Sequence, residues 1–124
     1  MRFLIVDDND AFRAYLKQLV TNANDQCIEL HDGLCVNSVY KVFKPDWVLL
    51  DIMMKEVNGL KAAENLVKEF PDARFAIISG YSDDIFRKRA EELGAEAFIS
   101  KDNLFDLIGI IHPGTTKDKV TGDS

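Results

Sequence analysis

The sequence predicts an α/β fold, in which a parallel sheet of five strands carries helices on both faces. Two observations support this prediction. Short apolar runs alternate with longer segments whose apolar residues recur at helical spacing. The runs are continuous, which is typical of strands buried on both faces of a parallel sheet. The length of 124 residues suits one domain with its own core.

Five apolar runs mark the predicted strands. They cover residues 3–6, 27–30, 47–50, 75–78 and 97–99, and the run at 27–30 is the weakest of the five. Because helical segments separate these runs, we expect parallel strands joined by crossovers. Right-handed crossovers then leave only a few topologies.

Five segments with helical spacing follow the strands. Their shared faces are Phe12, Leu16 and Leu19; Val39 and Phe43 within a less regular segment at 34–43; Leu60, Ala63, Val67 and Phe70; Phe86, Ala90 and Leu93; and Leu104, Leu107, Ile108 and Ile111. Pro71 and Gly94 mark two helix ends. Ser82, and either Asp102 or Asn103, are predicted N-caps because their side chains accept hydrogen bonds from free helix N–H groups.

The domain is expected to occupy residues 1–112. Residues 113–124 are polar and are predicted to form a disordered tail or a truncated linker. The net charge of −6 argues against direct nucleic-acid binding, which needs clustered Lys and Arg. The sequence has no apolar run long enough to span a membrane, and its two cysteines make no disulfide framework. We expect no signal peptide, because the first residues lack the length and the small-residue cleavage site of one. These features favour a cytoplasmic protein.

Chemically reactive side chains follow four of the predicted strands. Asp7 and Asp8 come after the first run, Asp51 after the third, Ser79 after the fourth and Lys101 after the fifth. In an open parallel sheet, ligands bind beyond the C-terminal ends of the strands. Three carboxylates, one hydroxyl and one ammonium are therefore expected to meet at one edge of the sheet.

This set of groups is suited to phosphoryl transfer. Three adjoining carboxylates repel one another, and a bound Mg²⁺ relieves that repulsion while leaving room for a phosphate. Asp51 would act as the nucleophile on phosphorus and form an aspartyl phosphate. Mg²⁺ and Lys101 would neutralise charge, and Ser79 would donate a hydrogen bond to a phosphoryl oxygen.

Each of these residues also has an ordinary structural explanation. Asp7 and Asp8 could be an acidic helix start, Asp51 and Ser79 turn residues, and Lys101 a solvated surface charge. Taken one at a time, the residues favour that explanation. The complete set, placed on four strand ends, favours a functional site.

The sequence strongly resembles the response-regulator receiver domain from Arg2 to about Ile111. The resemblance rests on stretches that are specific only together: residues 3–8, 44–54, 58–59, 76–80 and 94–101. It implies a flavodoxin-like, three-layer (βα)₅ fold with strand order 2-1-3-4-5. It also implies a signalling module similar to chemotaxis regulators rather than a metabolic enzyme.

The resemblance assigns a role to each acidic residue. Asp51 matches the phosphoacceptor of two-component and phosphorelay signalling. Asp7, Asp8, Asp51 and the backbone carbonyl of Met53 match the ligands of Mg²⁺, for which Mn²⁺ can substitute. The implied phosphodonor is a sensor histidine kinase or a phosphotransfer protein.

The remaining matched residues concern the response to phosphorylation. Lys101 matches the lysine that pairs with the phosphoryl group. Ser79 and Phe98 match a switch pair, in which the hydroxyl moves towards the phosphoryl group and the aromatic ring then turns inward. Lys55 and Asp102 depart from the family, which often has proline at both positions. We expect the bulky Met53 and Tyr81 to slow self-dephosphorylation, although both could simply shield the rim of the site.

The last helical segment has more apolar residues than one buried stripe needs: Leu104, Phe105, Leu107, Ile108, Ile110 and Ile111. We expect the face of the last two helices to bind a second copy or an output partner, unless the polar tail covers it. Three functional alternatives remain. The chain could be the receiver of a longer regulator with a DNA-binding domain, a phosphatase with an Asp nucleophile, or a receiver that only binds proteins.

Overall fold

The computed structural model describes residues 1–54, 58–80 and 84–113. Strands and helices alternate strictly within them. The strands are β1 (Arg2–Val6), β2 (Gln26–Leu30), β3 (Trp47–Asp51), β4 (Phe75–Ser79) and β5 (Ala97–Ser100). The helices are α1 (Asp10–Val20), α2 (Val36–Phe43), α3 (Gly59–Glu69), α4 (Asp84–Glu92) and α5 (Leu104–Ile111). None of these helices is long and apolar enough to cross a membrane.

The five strands form one parallel sheet in the order β2-β1-β3-β4-β5. This confirms the α/β class and the strand order that the family resemblance implies. The elements run from Arg2 to Ile111, inside the expected domain of residues 1–112. The prediction of a disordered tail falls almost wholly on residues 114–124, which lie outside the described residues.

Alternate residues of the central strands pack against opposite helix layers. On one face, Leu4, Val48 and Leu50 join a core cluster with residues of α2, α3 and α4. On the other face, Phe3 and Leu49 join a second cluster with residues of α1 and α5. The period of two in a strand explains this division, since successive side chains point to opposite faces. Both faces of the central strands are therefore buried. This packing holds in place the carboxyl ends of the strands, where the reactive residues lie.

Two local predictions differ from the structure. Helix α2 begins at Val36 rather than at Leu34, and Leu34 is exposed ahead of the helix. Asn103, and not Asp102, occupies the N-cap position of α5, and its side chain makes no capping hydrogen bond. The backbone of Asn103 (φ −129°, ψ 46°) is outside the extended region in which a cap side chain reaches the first helical N–H groups. Ser82 lies outside the described residues.

Two separate ion pairs lie at the amino end of the sheet. The Met1 amine lies 2.7 Å from a carboxylate oxygen of Asp25, and Arg74 pairs with Glu96 at 3.1 Å. The Arg74 guanidinium also lies 4.4 Å from the centre of the Trp47 ring, whose side chain is fully buried. Asp25 and Glu96 at this end therefore each have a cationic partner.

Helix α5 buries most of its apolar residues and leaves one large side chain outside. The buried positions are Leu104, Leu107, Ile108 and Ile111. Ile110 is partly buried against the α1 side of the sheet, whereas Phe105 is 73% exposed. On the preceding helix, Ile85 is 77% exposed. An interface on the last two helices stays a prediction, with these two side chains as its apolar part.

Candidate functional site

The carboxyl ends of four neighbouring strands bring the predicted residues to one edge. Asp7 follows β1, Asp51 and Ser79 are the last residues of β3 and β4, and Lys101 follows β5. The Lys101 N–H donates to the Ser79 carbonyl at 2.8 Å, which extends the β4–β5 pairing to the lysine. The local sequence folds this way because each apolar run is buried and ends where the first polar side chain reaches the edge.

Three carboxylates meet at this edge. Asp7, Asp8 and Asp51 each offer a carboxylate oxygen, and these oxygens all lie within 4.8 Å of one another. Asp7 is only 1% exposed and Asp51 only 4% exposed. The Lys101 ammonium lies 3.4 Å from Asp7 Oδ2 and 3.5 Å from Asp51 Oδ1. One ammonium thus faces two buried carboxylates, with a third close by.

The electrostatics of Asp51 follow from this crowding. Burial, and after it the neighbouring charge of Asp7, raise the pKa of Asp51 from 3.8 to about 6. The Lys101 ammonium and the Met53 N–H, which donates to Asp51 Oδ1 at 3.4 Å, oppose the rise in pKa without cancelling it. An ionised Asp51 is therefore destabilised in the folded protein unless more positive charge arrives.

The loop that carries Asp7 is fixed from two directions. The Asn9 N–H donates to Asp7 Oδ1 at 2.8 Å, and Arg13 Nη1 donates to the Asp7 carbonyl at 2.7 Å. The same guanidinium bonds Glu29 on β2 at 3.0 Å and Asp10 at 2.8 Å. Sequence reasoning missed Arg13. Its only signal was an arginine in the first turns of the helix after the acidic pair.

The backbone of Asp51 is braced by the start of α3. A methyl group on Gly59 would lie 2.2 Å from the Asp51 carbonyl oxygen, so only glycine permits this approach. The Gly59 N–H donates to the Ile52 carbonyl at 3.0 Å, and the Asn58 side chain caps α3 by accepting from the Lys61 N–H at 2.8 Å. The Asn58-Gly59 pair therefore holds the start of α3 against the end of β3, which carries Asp51.

The predicted switch residues lie on adjacent strands. Ser79 is fully buried at the end of β4, and Phe98 is partly buried on β5 against the core cluster next to α2, α3 and α4. The Arg87 guanidinium of α4 lies 4.8 Å from the centre of the Phe98 ring, and Arg87 Nη1 donates to the Phe98 carbonyl at 3.4 Å. The side chain of Met53 is 51% exposed at the rim. Tyr81 and Lys55 lie outside the described residues.

The residues present fit a hard divalent cation. All the side-chain ligand atoms in the cluster are carboxylate oxygens. Mg²⁺ prefers such oxygens, whereas Zn²⁺ is more often bound by thiolate sulfur and imidazole nitrogen. The burial of Asp7 and Asp51 and the raised pKa of Asp51 indicate a site with an excess of negative charge. The predicted fourth ligand, the carbonyl of Met53, belongs to a residue whose N–H already contacts Asp51.

The turn after β5 is held without the proline that the family often has there. The Ser100 hydroxyl oxygen accepts from the Asp102 N–H at 3.1 Å, and the Ser100 carbonyl accepts from the Asn103 N–H at 2.9 Å. A serine turn of this kind fixes the path of the chain between Lys101 and α5. It explains how Asp102 is accommodated at this position.

Similar proteins are found by sequence and by structure. The family model for the response regulator receiver domain matches residues 3–111. The chemotaxis protein CheY of Thermotoga maritima is 36% identical over 101 residues, which cover 81% of this chain and 84% of that protein. The uncharacterized transcriptional regulatory protein YhcZ of Bacillus subtilis is 32% identical over 104 residues, or 82% of this chain. This chain spans only 49% of the length of that regulator.

A solved structure supports the same fold. The CheY-like response regulator receiver domain protein of Methanospirillum hungatei superposes with a TM-score of 0.80 at 24% sequence identity. The match covers 98% of this chain and 94% of that chain.

Proposed function

Because the chain belongs to the response regulator receiver domain family of two-component signalling, we propose that Asp51 accepts a phosphoryl group with the help of Mg²⁺. The observation that carries the proposal is the meeting of three carboxylates and the Lys101 ammonium at the buried carboxyl edge of the sheet. The phosphodonor is a phosphohistidine on a sensor kinase or a phosphotransfer protein.

The proposed step is an in-line displacement at phosphorus. A carboxylate oxygen of Asp51 forms a bond to phosphorus while the bond from phosphorus to the donor imidazole nitrogen breaks. The imidazole leaves with that electron pair and takes up a proton. Lys101 neutralises charge on the phosphoryl oxygens, and the Ser79 hydroxyl donates a hydrogen bond to one of them. When bound by Asp7, Asp8, Asp51 and the Met53 carbonyl, Mg²⁺ supplies further positive charge at those oxygens.

The raised pKa of Asp51 is compatible with this role. With a pKa of about 6, most Asp51 side chains are ionised at neutral pH and can attack phosphorus. Burial at the same time removes the water that would weaken the pull of Lys101 on the transferred group. The site therefore combines an available nucleophile with strong local electrostatics.

The phosphorylated domain acts as a switch and not as a metabolic enzyme. Movement of Ser79 towards the phosphoryl group, followed by inward rotation of Phe98, shifts the domain between two forms. Phosphorylation would then change the surface of the last two helices, where Ile85 and Phe105 are exposed. This surface would bind a second copy or an output partner, with no direct contact to nucleic acid.

The output is open between two arrangements. Relatives such as the Escherichia coli DNA-binding transcriptional activator EvgA are about twice as long as the matched region, which covers 50% of that protein. The chemotaxis relative is matched over most of its length. If this protein resembles the chemotaxis relative, the receiver would serve as a stand-alone switch. If it resembles EvgA, the receiver would be the regulatory part of a longer protein. A cytoplasmic location stays a prediction.

The first experiment is intact mass spectrometry after incubation with Mg²⁺ and acetyl phosphate. We expect a gain of one phosphoryl group, absent from Asp51→Asn and from a sample without divalent cation. Asp25→Asn, at the opposite end of the sheet, is the matched control and should gain the group normally. Folded wild-type protein that gains nothing under a rapid quench would favour a receiver that only binds proteins.

The lifetime of the phosphoryl group is tested at Met53. Its side chain is half-exposed at the rim beside Asp51 and offers no group that orients water. We therefore expect slow self-dephosphorylation, which Met53→Asn should accelerate by supplying an amide. An unchanged hydrolysis rate in that variant would leave Met53 as a simple part of the rim.

A further inference from the structure

The Lys101 ammonium is enclosed on more than its carboxylate side. It lies 3.4 and 3.5 Å from oxygens of Asp7 and Asp51, and 4.2 Å from the centre of the Phe12 ring. The Lys101 side chain keeps an exposure of only 27%. A lysine has a flexible stem that can swing into solvent, and an aromatic face attracts its ammonium by the ring quadrupole. The Phe12 ring thus limits where the ammonium can go.

The ring itself is held by the first turn of α1. The Phe12 N–H donates to the Asn9 side chain at 2.9 Å, which caps the helix. The next residue, Arg13, bonds the Asp7 carbonyl at 2.7 Å. The turn that carries Phe12 is therefore tied to the same backbone that carries Asp7. The distance between ring and carboxylates is fixed locally rather than left to helix packing.

We propose that Phe12 is a positioning residue that holds Lys101 against Asp51 before the phosphoryl group arrives. This proposal rests on the proposed function of the site. Lys101 must leave Asp7 and pair with the incoming phosphoryl oxygens, and the ring keeps the ammonium within reach during that exchange. Phe12 also packs against the core cluster next to α1 and α5, so packing and positioning must be separated.

The substitutions separate the two roles by chemistry. Phe12→Leu keeps an apolar side chain and removes the aromatic face, whereas Phe12→Tyr keeps the face. We expect Phe12→Leu to slow phosphorylation by acetyl phosphate roughly three- to tenfold, which corresponds to the loss of one cation–π contact. Phe12→Tyr should stay near the wild-type rate. Phe43→Leu is the matched control, because Phe43 faces Arg2 at 5.6 Å near the opposite end of the sheet.

A spectroscopic test reads the position of Lys101 without the reaction. In the wild type, the ring current of Phe12 should move the Lys101 Hε resonance upfield, and Phe12→Leu should return it to the position of a free lysine. Should Phe12→Leu fail to fold, Phe12→Met takes its place. A wild-type resonance at the free-lysine position would overturn the proposal whether or not Asp51 is phosphorylated.

A double-substitution cycle completes the test. If Phe12 acts through Lys101, Phe12→Leu should cause no additional slowing in a Lys101→Met background. Equal slowing in both backgrounds would show a packing effect and overturn the proposal. Failure of wild-type Asp51 to take up the phosphoryl group would instead contradict the proposed function, while the resonance of Lys101 would still decide its contact with Phe12.

Discussion

The two ends of the same sheet treat their carboxylates in opposite ways. At the amino end, Asp25 pairs with the Met1 amine and Glu96 pairs with Arg74, one anion to one cation. At the carboxyl end, three carboxylates lie close together, and the Lys101 ammonium pairs with two of them, Asp7 and Asp51. The pKa of Asp25 is lowered by its hydrogen bond from the amine, whereas the pKa of Asp51 is raised by burial and by Asp7.

This difference distinguishes charges that stabilise the fold from charges that serve a function. A paired carboxylate lowers the free energy of the folded state, if only slightly at the surface. A buried and incompletely neutralised carboxylate raises it and persists only because the surrounding structure holds it in place. The carboxyl end of the sheet is thus expected to gain stability when its negative charge is reduced.

The largest effect is expected at the brace behind Asp51. Gly59→Ala would force a methyl group to within 2.2 Å of the Asp51 carbonyl oxygen, so the backbone must shift. We expect the free energy of unfolding to fall by about 2 to 4 kcal/mol in urea titrations followed by circular dichroism. Gly109→Ala in α5 is the control, since its methyl group meets no heavy atom within 4 Å. That helical substitution should be neutral or stabilising by less than about 1 kcal/mol.

The next effect concerns the charge of Asp51 itself. In metal-free buffer at pH 7, Asp51→Asn should raise the free energy of unfolding by about 1 to 2 kcal/mol, because it removes a buried charge whose pKa stands about two units above normal. Added Mg²⁺ should stabilise the wild type and have little effect on the variant. A destabilised Asp51→Asn protein would mean that Lys101 already neutralises the site in full.

The same charge predicts a pH dependence of stability. Asp51 has a pKa of about 6 in the folded protein and about 3.8 when unfolded, so the folded state binds more protons between these values. The contribution of Asp51 to stability is therefore complete below pH 3.8 and is lost as the pH rises through 6. Without divalent cations, the free energy of unfolding of the wild type should fall relative to that of Asp51→Asn as the pH rises across that window. A flat difference would contradict the raised pKa.

The smallest effect is expected at the amino end. Asp25→Asn removes the partner of the Met1 amine and should lower stability by less than about 1 kcal/mol, since the Met1 partner of the pair is 37% exposed. Its lowered pKa means that this contribution is present at neutral pH and lost as the pH falls below about 4. The comparison of the two ends predicts that Asp25→Asn lowers the free energy of unfolding and that Asp51→Asn raises it. A change of the same sign in both variants would contradict the distinction between the two ends.

Much of the fold could be predicted because the buried strands are short apolar runs, each ended or directly followed by a polar residue. Asp7, Asp51, Ser79 and Lys101 were placed by that rule alone, since parallel strands share one carboxyl edge. Local capping was less predictable. Whether Asn103 caps α5 depends on its backbone angles, which the Ser100 turn sets and the sequence pattern does not reveal.

The contacts around the site were out of reach for a different reason. The Phe12 ring lies over Lys101, 89 positions away in the chain, because the fold brings the first turn of α1 close to the residue that follows β5. The pattern marked Phe12 as a core residue, and it is one. The clamp of Arg13 on the Asp7 carbonyl likewise depends on side-chain rotamers, which hydrophobic periodicity does not determine.

Trp47 is the only tryptophan of the protein, and it gives the domain a built-in optical probe of limited range. It starts the strand that Asp51 ends, four residues and about 13 Å away. Its indole is fully buried beside Arg74, and Nε1 has no hydrogen-bond partner among the described residues. Its fluorescence should be blue-shifted in the folded protein and should report global unfolding. The same emission should change little when the opposite end of β3 binds a cation. Ligand titrations therefore need a fluorophore placed elsewhere.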